Sequence, residues 1–206
     1  MHNQDKDFSP FHFGITLGYG QTNFKVIHSE AFIHHDSILT VESPRSPGLN
    51  IGIVSNLRLS KHWDLRFIPA LAFAEKQLDY TLIADSQAVM SIESIYLDFP
   101  LLVKFKSDRV RNFRMYLVGG AKYSMDMASN AESRNADDII KIQPRDISLE
   151  LGFGMEFYAP LFKFSPELKF SYGIFDIMAH DDNFQFSEVI GKMLTRGFLI
   201  SFHFEG

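Results

Sequence analysis

Apolar and polar residues alternate with a period of two along most of this chain, which predicts β-strands with two unlike faces. From Phe11 to Tyr19 the odd positions are apolar, whereas the even positions hold His, Gly and Thr. The pattern returns seven times, and none of its apolar positions is charged, so the sequence predicts eight strands. The predicted apolar faces run over Phe11–Tyr19, Leu49–Leu59, Trp63–Phe73, Ile95–Phe105, Phe113–Tyr123, Ile147–Phe157, Phe162–Tyr172 and Phe198–Phe204.

The connections between these strands alternate in length. Short turns are predicted near Ser60, Ser107–Asn112 and Ala159–Leu161, whereas the other connections are polar stretches of roughly 14 to 25 residues. Short turns on one rim and long loops on the other are typical of an antiparallel up-and-down transmembrane β-barrel, with short periplasmic turns, long extracellular loops and both termini in the periplasm. Because proline cannot donate a hydrogen bond within a sheet, bulges are expected at the three prolines inside strands, Pro69, Pro100 and Pro166.

The orientation of the two faces separates a membrane barrel from a soluble one. A soluble lipocalin-like, ligand-binding barrel would show the same alternation with its apolar face inward. However, the apolar face carries more bulky side chains than the interior of an eight-stranded barrel can hold. The opposite face is rich in glycine, which suits a crowded interior. The sequence therefore predicts that the apolar face contacts lipid and that the charged face lines the interior.

Charged residues on the predicted inner face nearly balance in sign. Charges removed from bulk water are tolerated when they are paired and hydrogen-bonded, so an interior network without a continuous water channel is expected. This argues against a porin. The predicted interior charge network comprises Arg58, Asp64, Arg66, Asp98, Lys104, Arg114, Lys122, Glu150, Glu156, Glu167 and Lys169, with Asp146 and Lys163 on the same face.

Aromatic residues are abundant, with 21 Phe and 7 Tyr against a single Trp. They fall at the ends of the predicted strands, where two girdles would lie at the two membrane interfaces. One girdle, beside the short turns, comprises Trp63, Phe105, Phe113, Phe157, Phe162 and Phe204, and the other, near the long loops, comprises Tyr19, Phe73, Tyr123 and Tyr172.

Length and composition limit the remaining choices. Residues 1–206 are expected to form a single domain, with residues 1–10 as a periplasmic tail and the signal peptide already removed. A net charge of −5 without a basic run disfavours nucleic-acid binding. The absence of cysteine excludes disulfides and thiolate sites. No apolar run is long enough for a membrane-spanning helix.

Two segments resemble a known family. The run YLDFPLLVKF, from Tyr96 to Phe105, and the run GFGMEF, from Gly152 to Phe157, are similar to strands of PorT-like outer-membrane barrels. The resemblance implies an outer-membrane location and a role in type IX secretion and gliding motility, with other proteins of a secretion complex as partners. No catalytic residue is implied.

Enzymatic and metal chemistry are weakly indicated. His34-His35-Asp36 and His180-Asp181-Asp182 lie in predicted loops, where adjacent side chains point to different sides of an extended chain, so no metal or other cofactor is expected. A lipid-modifying enzyme would use a His with a Ser and a carboxylate, but His12, His28 and His203 form no known motif. His203 is expected in the interior network. The sequence thus predicts a non-enzymatic barrel that contacts lipids and partner proteins.

Overall fold

A computed structural model describes residues 10–28, 38–82, 87–127, 143–177 and 190–206 of the chain. The predicted tail, residues 1–10, lies outside these residues apart from Pro10, and so do both His-Asp loop segments. None of the described residues belongs to a helix able to cross a membrane. The strands are β1 (Phe11–His28), β2 (Ile38–Glu42), β3 (Ser46–Arg58), β4 (Trp63–Phe67), β5 (Ala70–Leu82), β6 (Gln87–Lys106), β7 (Phe113–Asp126), β8 (Arg145–Tyr158), β9 (Lys163–Gly173) and β10 (Ile190–Glu205).

Antiparallel pairing closes these segments into a ring of eight strands. β1 pairs with both β3 and β10, and the ring continues through β9, β8, β7 and β6. β4 and β5 together form the third strand, because both pair with β3 on one side and β6 on the other. β2 pairs with the far end of β5 and extends the strand formed by β3. The prediction of an all-β, up-and-down barrel of eight strands is confirmed.

The expected bulges at the three prolines are wrong. Pairings of β4 and β5 with β6 keep one register across Pro69, and the pairings of Pro100 with Lys122 and of Pro166 with Phe202 lie in unshifted ladders. Each proline lacks a backbone N–H and so removes one donor from the ladder without shifting it. Of the three positions, only Pro69 lies at a break between two strands, β4 and β5. Carbonyl pairing persists there, since the Ile53 N–H donates to the Pro69 oxygen at 3.0 Å.

The long polar loop predicted between the third and fourth strands is also wrong. β5 continues to Leu82 and β6 begins at Gln87, and their ladder runs without a shift from Ala70–Asp98 to Thr81–Gln87. The alternation on odd positions ends near Phe73, and the apolar positions that follow are even, as in Leu78, Tyr80 and Leu82. A pattern followed in one register therefore stops at Phe73, although the two strands continue to pair.

The apolar face of the barrel points outward. Phe67 and Leu117 are 39% and 59% exposed, whereas Arg66 and Lys104 are fully buried. The soluble alternative with an inward apolar face is therefore wrong, because burying Phe67 would require Arg66 to point into the surroundings.

A small apolar cluster of Leu102, Tyr116 and Val118 lies among the buried charges. Tyr116 pairs across the ladder with Gly154, where an added Cβ would lie 2.4 Å from the Tyr116 hydroxyl oxygen. Glycine at position 154 thus lets the Tyr116 ring lie flat against β8 and fill the centre of the ring of strands.

Candidate functional site

Arg66 is the centre of the first group of buried charges, in the half of the barrel nearer the short turns. Its guanidinium donates to Glu167 Oε2 at 2.8 Å, to Glu205 Oε1 at 3.3 Å and to Asn56 Oδ1 at 3.3 Å. These side chains come from β4, β9, β10 and β3, so the contacts cross the whole interior. Every second residue of a strand points inward, so side chains from these four strands meet in the interior.

Glu156 links this group to further cations. It contacts Lys104 directly, accepts a hydrogen bond from the Tyr158 hydroxyl at 2.7 Å, and lies 3.3 Å from Lys163 Nζ. Lys163 also lies 2.8 Å from Glu205. Glu205 therefore contacts two cations and Glu156 contacts Lys104, Lys163 and, more distantly, Arg114, which spreads the charge of the group over several strands.

Aromatic and rim groups complete the first group. Lys104 Nζ lies 4.0 Å from the centroid of the Tyr116 ring, a distance suited to a cation–π contact. Lys106 lies 2.5 Å from Asp64, which also accepts a hydrogen bond from Asn56 at 2.8 Å. His203, expected in the network, is buried with Nε2 3.5 Å from Glu167 Oε1.

A second group lies nearer the long loops. Lys169 donates to Glu150 at 2.9 Å, and Lys122 donates to Asp98 at 3.4 Å while lying 3.9 Å from Glu150. The Ser124 hydroxyl donates to the other Asp98 oxygen at 2.6 Å. These charges border a cavity of about 70 Å³, which is large enough for ordered water.

The predicted network residues differ in their placement. Asp64, Arg66, Lys104, Glu156 and Glu167 meet in the first group, and Asp98, Lys122, Glu150 and Lys169 meet in the second. Arg114 is peripheral, with its guanidinium 3.8 Å from Glu156. Arg58 lies at the end of β3, where its Nε donates to the Ser60 carbonyl at 3.3 Å.

The sequence pattern does not single out several interior residues of these groups, among them Asn56, Lys106, Tyr116 and Glu205. The inward parity of β6 and β10 could have revealed Lys106 and Glu205, because they continue the series that holds Lys104 and His203. Asn56 and Tyr116 are uncharged, so a search for charged positions passes over them.

The predicted short-turn girdle residues contact one another across neighbouring strands. Ring centroids lie 4.8 Å apart for Trp63 and Phe105, and 5.4 Å apart for Phe113 and Phe157. Phe162 and Phe204 are 6.1 Å apart. Near the long loops, Tyr19, Phe73 and Tyr172 are exposed on the outer wall. The ring centroids of Tyr123 and Phe99 lie 6.4 Å apart.

The short-turn rim carries an exposed ion pair. Lys61 Nζ lies 2.7 Å from Asp108 Oδ1. The hydrogen bond from Lys61 and its positive charge lower the pKa of the Asp108 carboxyl. Both chain ends of the barrel reach this rim, since the Pro10 carbonyl accepts from the Arg58 N–H and Glu205 ends β10.

The buried groups join strands and occupy the interior. Within the described ranges, no three His, Asp or Glu residues are placed to hold a metal ion. His12 is half-buried and His203 is sealed beside Glu167. The arrangement is suited to holding the wall of the barrel together by charge pairing.

Comparison with known proteins agrees with this architecture. The structure is similar to neisserial surface protein A (NspA), with 13% sequence identity, a TM-score of 0.51 and coverage of 96% of each chain. It is also similar to the outer membrane protein OprG from Pseudomonas aeruginosa, with 13% identity, a TM-score of 0.52 and coverage of 95% of each chain. At such identities the likeness shows a shared fold.

No curated protein sequence matches the chain significantly. A family model described as "Outer membrane protein beta-barrel domain" matches residues 3–179, which is most of the chain. The match agrees with the closed ring of strands, the apolar outer wall and the buried charges, and the chain belongs to this family of outer-membrane β-barrels.

Proposed function

We propose that this barrel is a non-conducting, non-enzymatic outer-membrane protein that contacts partner proteins through its long-loop side, as an accessory component of type IX-like secretion. The observation that carries the proposal is the filled interior. Arg66, Leu102, Lys104 and Tyr116 are each at most 3% exposed at the centre of the ring. An interior closed by packed, paired side chains directs function to the surfaces at the rims.

The β5–β6 hairpin is the part of the long-loop rim best suited to a partner. The outward apolar pattern ends at Phe73 and Ile95, yet the two strands continue to Leu82 and Gln87. The nine further residues of β5 correspond to about 30 Å of strand. Because β2 pairs along the end of β5, the projection is a three-stranded sheet that can present a defined surface.

The secretion role is supported by the resemblance to PorT-like barrels. The run Tyr96–Phe105 lies on β6, where its inward residues Asp98 and Lys104 belong to the two charge groups. The similarity thus covers residues that build the interior. The periplasmic placement of both termini is part of the same proposal and is supported by the position of Pro10 and Glu205 at the short-turn rim.

A deletion strain tests the secretion role. Loss of the protein should abolish release of type IX cargo into the medium, and the wild-type gene should restore it. Normal secretion in the deletion strain would refute the role.

A shortened hairpin tests the contact surface. In this variant residues 77–92 are replaced by a two-residue turn, which removes the projection and leaves the apolar wall intact. The variant should reach the outer membrane with heat-modifiable gel mobility, yet fail to restore secretion. Replacing Asp108 by Asn in the opposite rim is the control and should restore it. Full restoration by the shortened hairpin would exclude the projection as the contact surface.

A further inference from the structure

One sector of the outer wall, near the long-loop rim, is polar and cationic. Asn23 on β1 pairs across the ladder with Arg196 on β10, Arg196 pairs with Tyr172 on β9, and Tyr172 pairs with Leu149 on β8. These four residues form one row across four strands. Their side chains share the outer face because directly paired residues point to the same side of a sheet.

Three cations converge on this row. The Arg196 guanidinium carbon lies 5.0 Å from the centroid of the Tyr172 ring, and Lys25 follows two residues after Asn23 on the same outward face of β1. Arg45 is exposed and lines the same shallow depression as Arg196 and Tyr172. Among the described residues that line this depression, none is acidic.

An apolar row lies directly beneath the cations. Phe198 on β10 pairs with Phe170 on β9, and Phe170 pairs with Leu151 on β8. Leu151 and Phe170 are 69% and 54% exposed. The sector therefore combines cations, an amide and a hydroxyl at the rim with a smooth apolar wall on the membrane side.

The outer wall on β5, β6 and the end of β7 differs from this sector. There, the outward residues near the long-loop rim include Phe73, Ile95 and Met127, all of them exposed. An evenly distributed ring of cations would fit general attraction to an anionic surface. The clustering of Lys25 on β1, Arg196 on β10 and Arg45 just before β3 instead fits a localised ligand.

We propose that this sector, comprising Lys25, Arg45, Tyr172 and Arg196, binds a phosphorylated glycolipid of the surrounding leaflet. The cations would contact a phosphate, Asn23 and Gln21 would offer amide groups to sugar hydroxyls, and the acyl chains would lie along Leu151 and Phe170. Arginine suits this role because its planar guanidinium binds phosphate through two parallel hydrogen bonds. The apolar row beneath the cations favours a phosphate carried by a lipid over a free, water-borne phosphate, because acyl chains can pack on it.

Lipid retention by the detergent-solubilised, folded barrel tests the proposal. Purified protein would be titrated with bisphosphorylated lipid A, with its dephosphorylated form, and with phosphatidylglycerol, and bound lipid would be measured by native mass spectrometry. Wild type should retain lipid A, bind the dephosphorylated form weakly, and bind phosphatidylglycerol less tightly than lipid A. The double variant Arg45→Gln with Arg196→Gln should weaken lipid A binding about tenfold or more.

A matched control removes two positive charges from the other rim. The variant Lys61→Gln with Arg111→Asn should bind lipid A as wild type does, because both residues lie in short turns. Heat-modifiable mobility of each variant verifies folding. Equal binding by the two double variants, or equal binding of dephosphorylated lipid A, would overturn the site. Equal binding of phosphatidylglycerol would overturn the glycolipid preference. This readout is independent of secretion, so the failure of one proposal leaves the other standing.

Discussion

Replacing Arg66 by Met tests the energetic role of the buried charges. The aliphatic part of the side chain is kept, but the contacts to Glu167 at 2.8 Å, Glu205 at 3.3 Å and Asn56 at 3.3 Å are lost. The two carboxylates are affected differently. Glu205 keeps Lys163 at 2.8 Å, whereas Glu167 is left with His203, whose Nε2 lies 3.5 Å from the Glu167 Oε1 atom.

The expected cost follows from leaving a buried carboxylate poorly compensated. Removal of one partner from a buried ion pair destabilises proteins by about 3–5 kcal/mol, and Arg66 and Glu167 are both fully buried here. Arg66→Met should therefore lower the free energy of unfolding by about that amount. Adding Glu167→Gln should recover most of the loss, because the amide carries no charge.

Urea unfolding of the barrel refolded into phospholipid vesicles measures these free energies, with heat-modifiable gel mobility as the readout. The control combination is Arg66→Met with Glu150→Gln, since Glu150 belongs to the second charge group and pairs with Lys169. This pair of changes should be additive to within about 0.5 kcal/mol. Wild-type stability of Arg66→Met, or equal recovery by Glu150→Gln, would refute the reasoning.

Three further predictions concern packing, conduction and the membrane interface. Gly154→Ala should destabilise the barrel by about 1–3 kcal/mol, since the new Cβ would lie 2.4 Å from Tyr116. Gly119→Ala, where the nearest atom is a flexible Leu151 methyl at 3.1 Å, should be close to neutral, and equal urea midpoints for the two would contradict the packing argument. In planar bilayers the wild-type protein should show no stable conductance steps at neutral pH, and regular single-channel steps would refute a filled interior. Trp63 is the single tryptophan and is 47% exposed on the outer wall. Its fluorescence should be quenched more strongly by lipids brominated near the headgroup than by lipids brominated near the chain ends. The opposite order would show that Trp63 does not lie at the membrane interface.

The alternation of apolar and polar residues made the wall of the barrel predictable. Once the odd or the even positions of a strand are assigned to the outer face, the direction of every side chain in that strand is fixed. Once Phe67 and Leu117 are assigned to the outer face, Arg66 and Val118 must point inward. The same parity places Asp64, Lys104 and Glu156 among the buried side chains, whereas Arg58 and Arg114 lie at the edge of the network. Which carboxylate meets which cation depends on the stagger between distant strands, and no local pattern encodes it.

Other features were beyond the reach of periodicity. In the far half of the β5–β6 hairpin the apolar positions move from odd to even, as in Leu78, Tyr80 and Leu82, so a pattern followed in one register ends at Phe73 while the pairing of the two strands continues. Tyr116 is an aromatic residue on the charged face, and its role depends on the small residue opposite it, Gly154. The bulges expected at Pro69 and Pro100 follow from the missing N–H donors alone. The sheet instead tolerates the loss of single hydrogen bonds without a change of register.

The placement of Glu205 has a consequence for the order in which the barrel assembles. Arg66 precedes Glu205 by 139 positions and Glu167 by 101, so neither contact can form within a hairpin. Lys163 meets Glu205 as soon as β10 pairs with β9, whereas closure of the seam between β10 and β1 is needed to bring Glu205 to Arg66 on β4. An incomplete arc would hold Arg66 without one of its counterions while its two edges stayed open. Sealing the seam removes both penalties in one step, so the completed cylinder is favoured over every partial one.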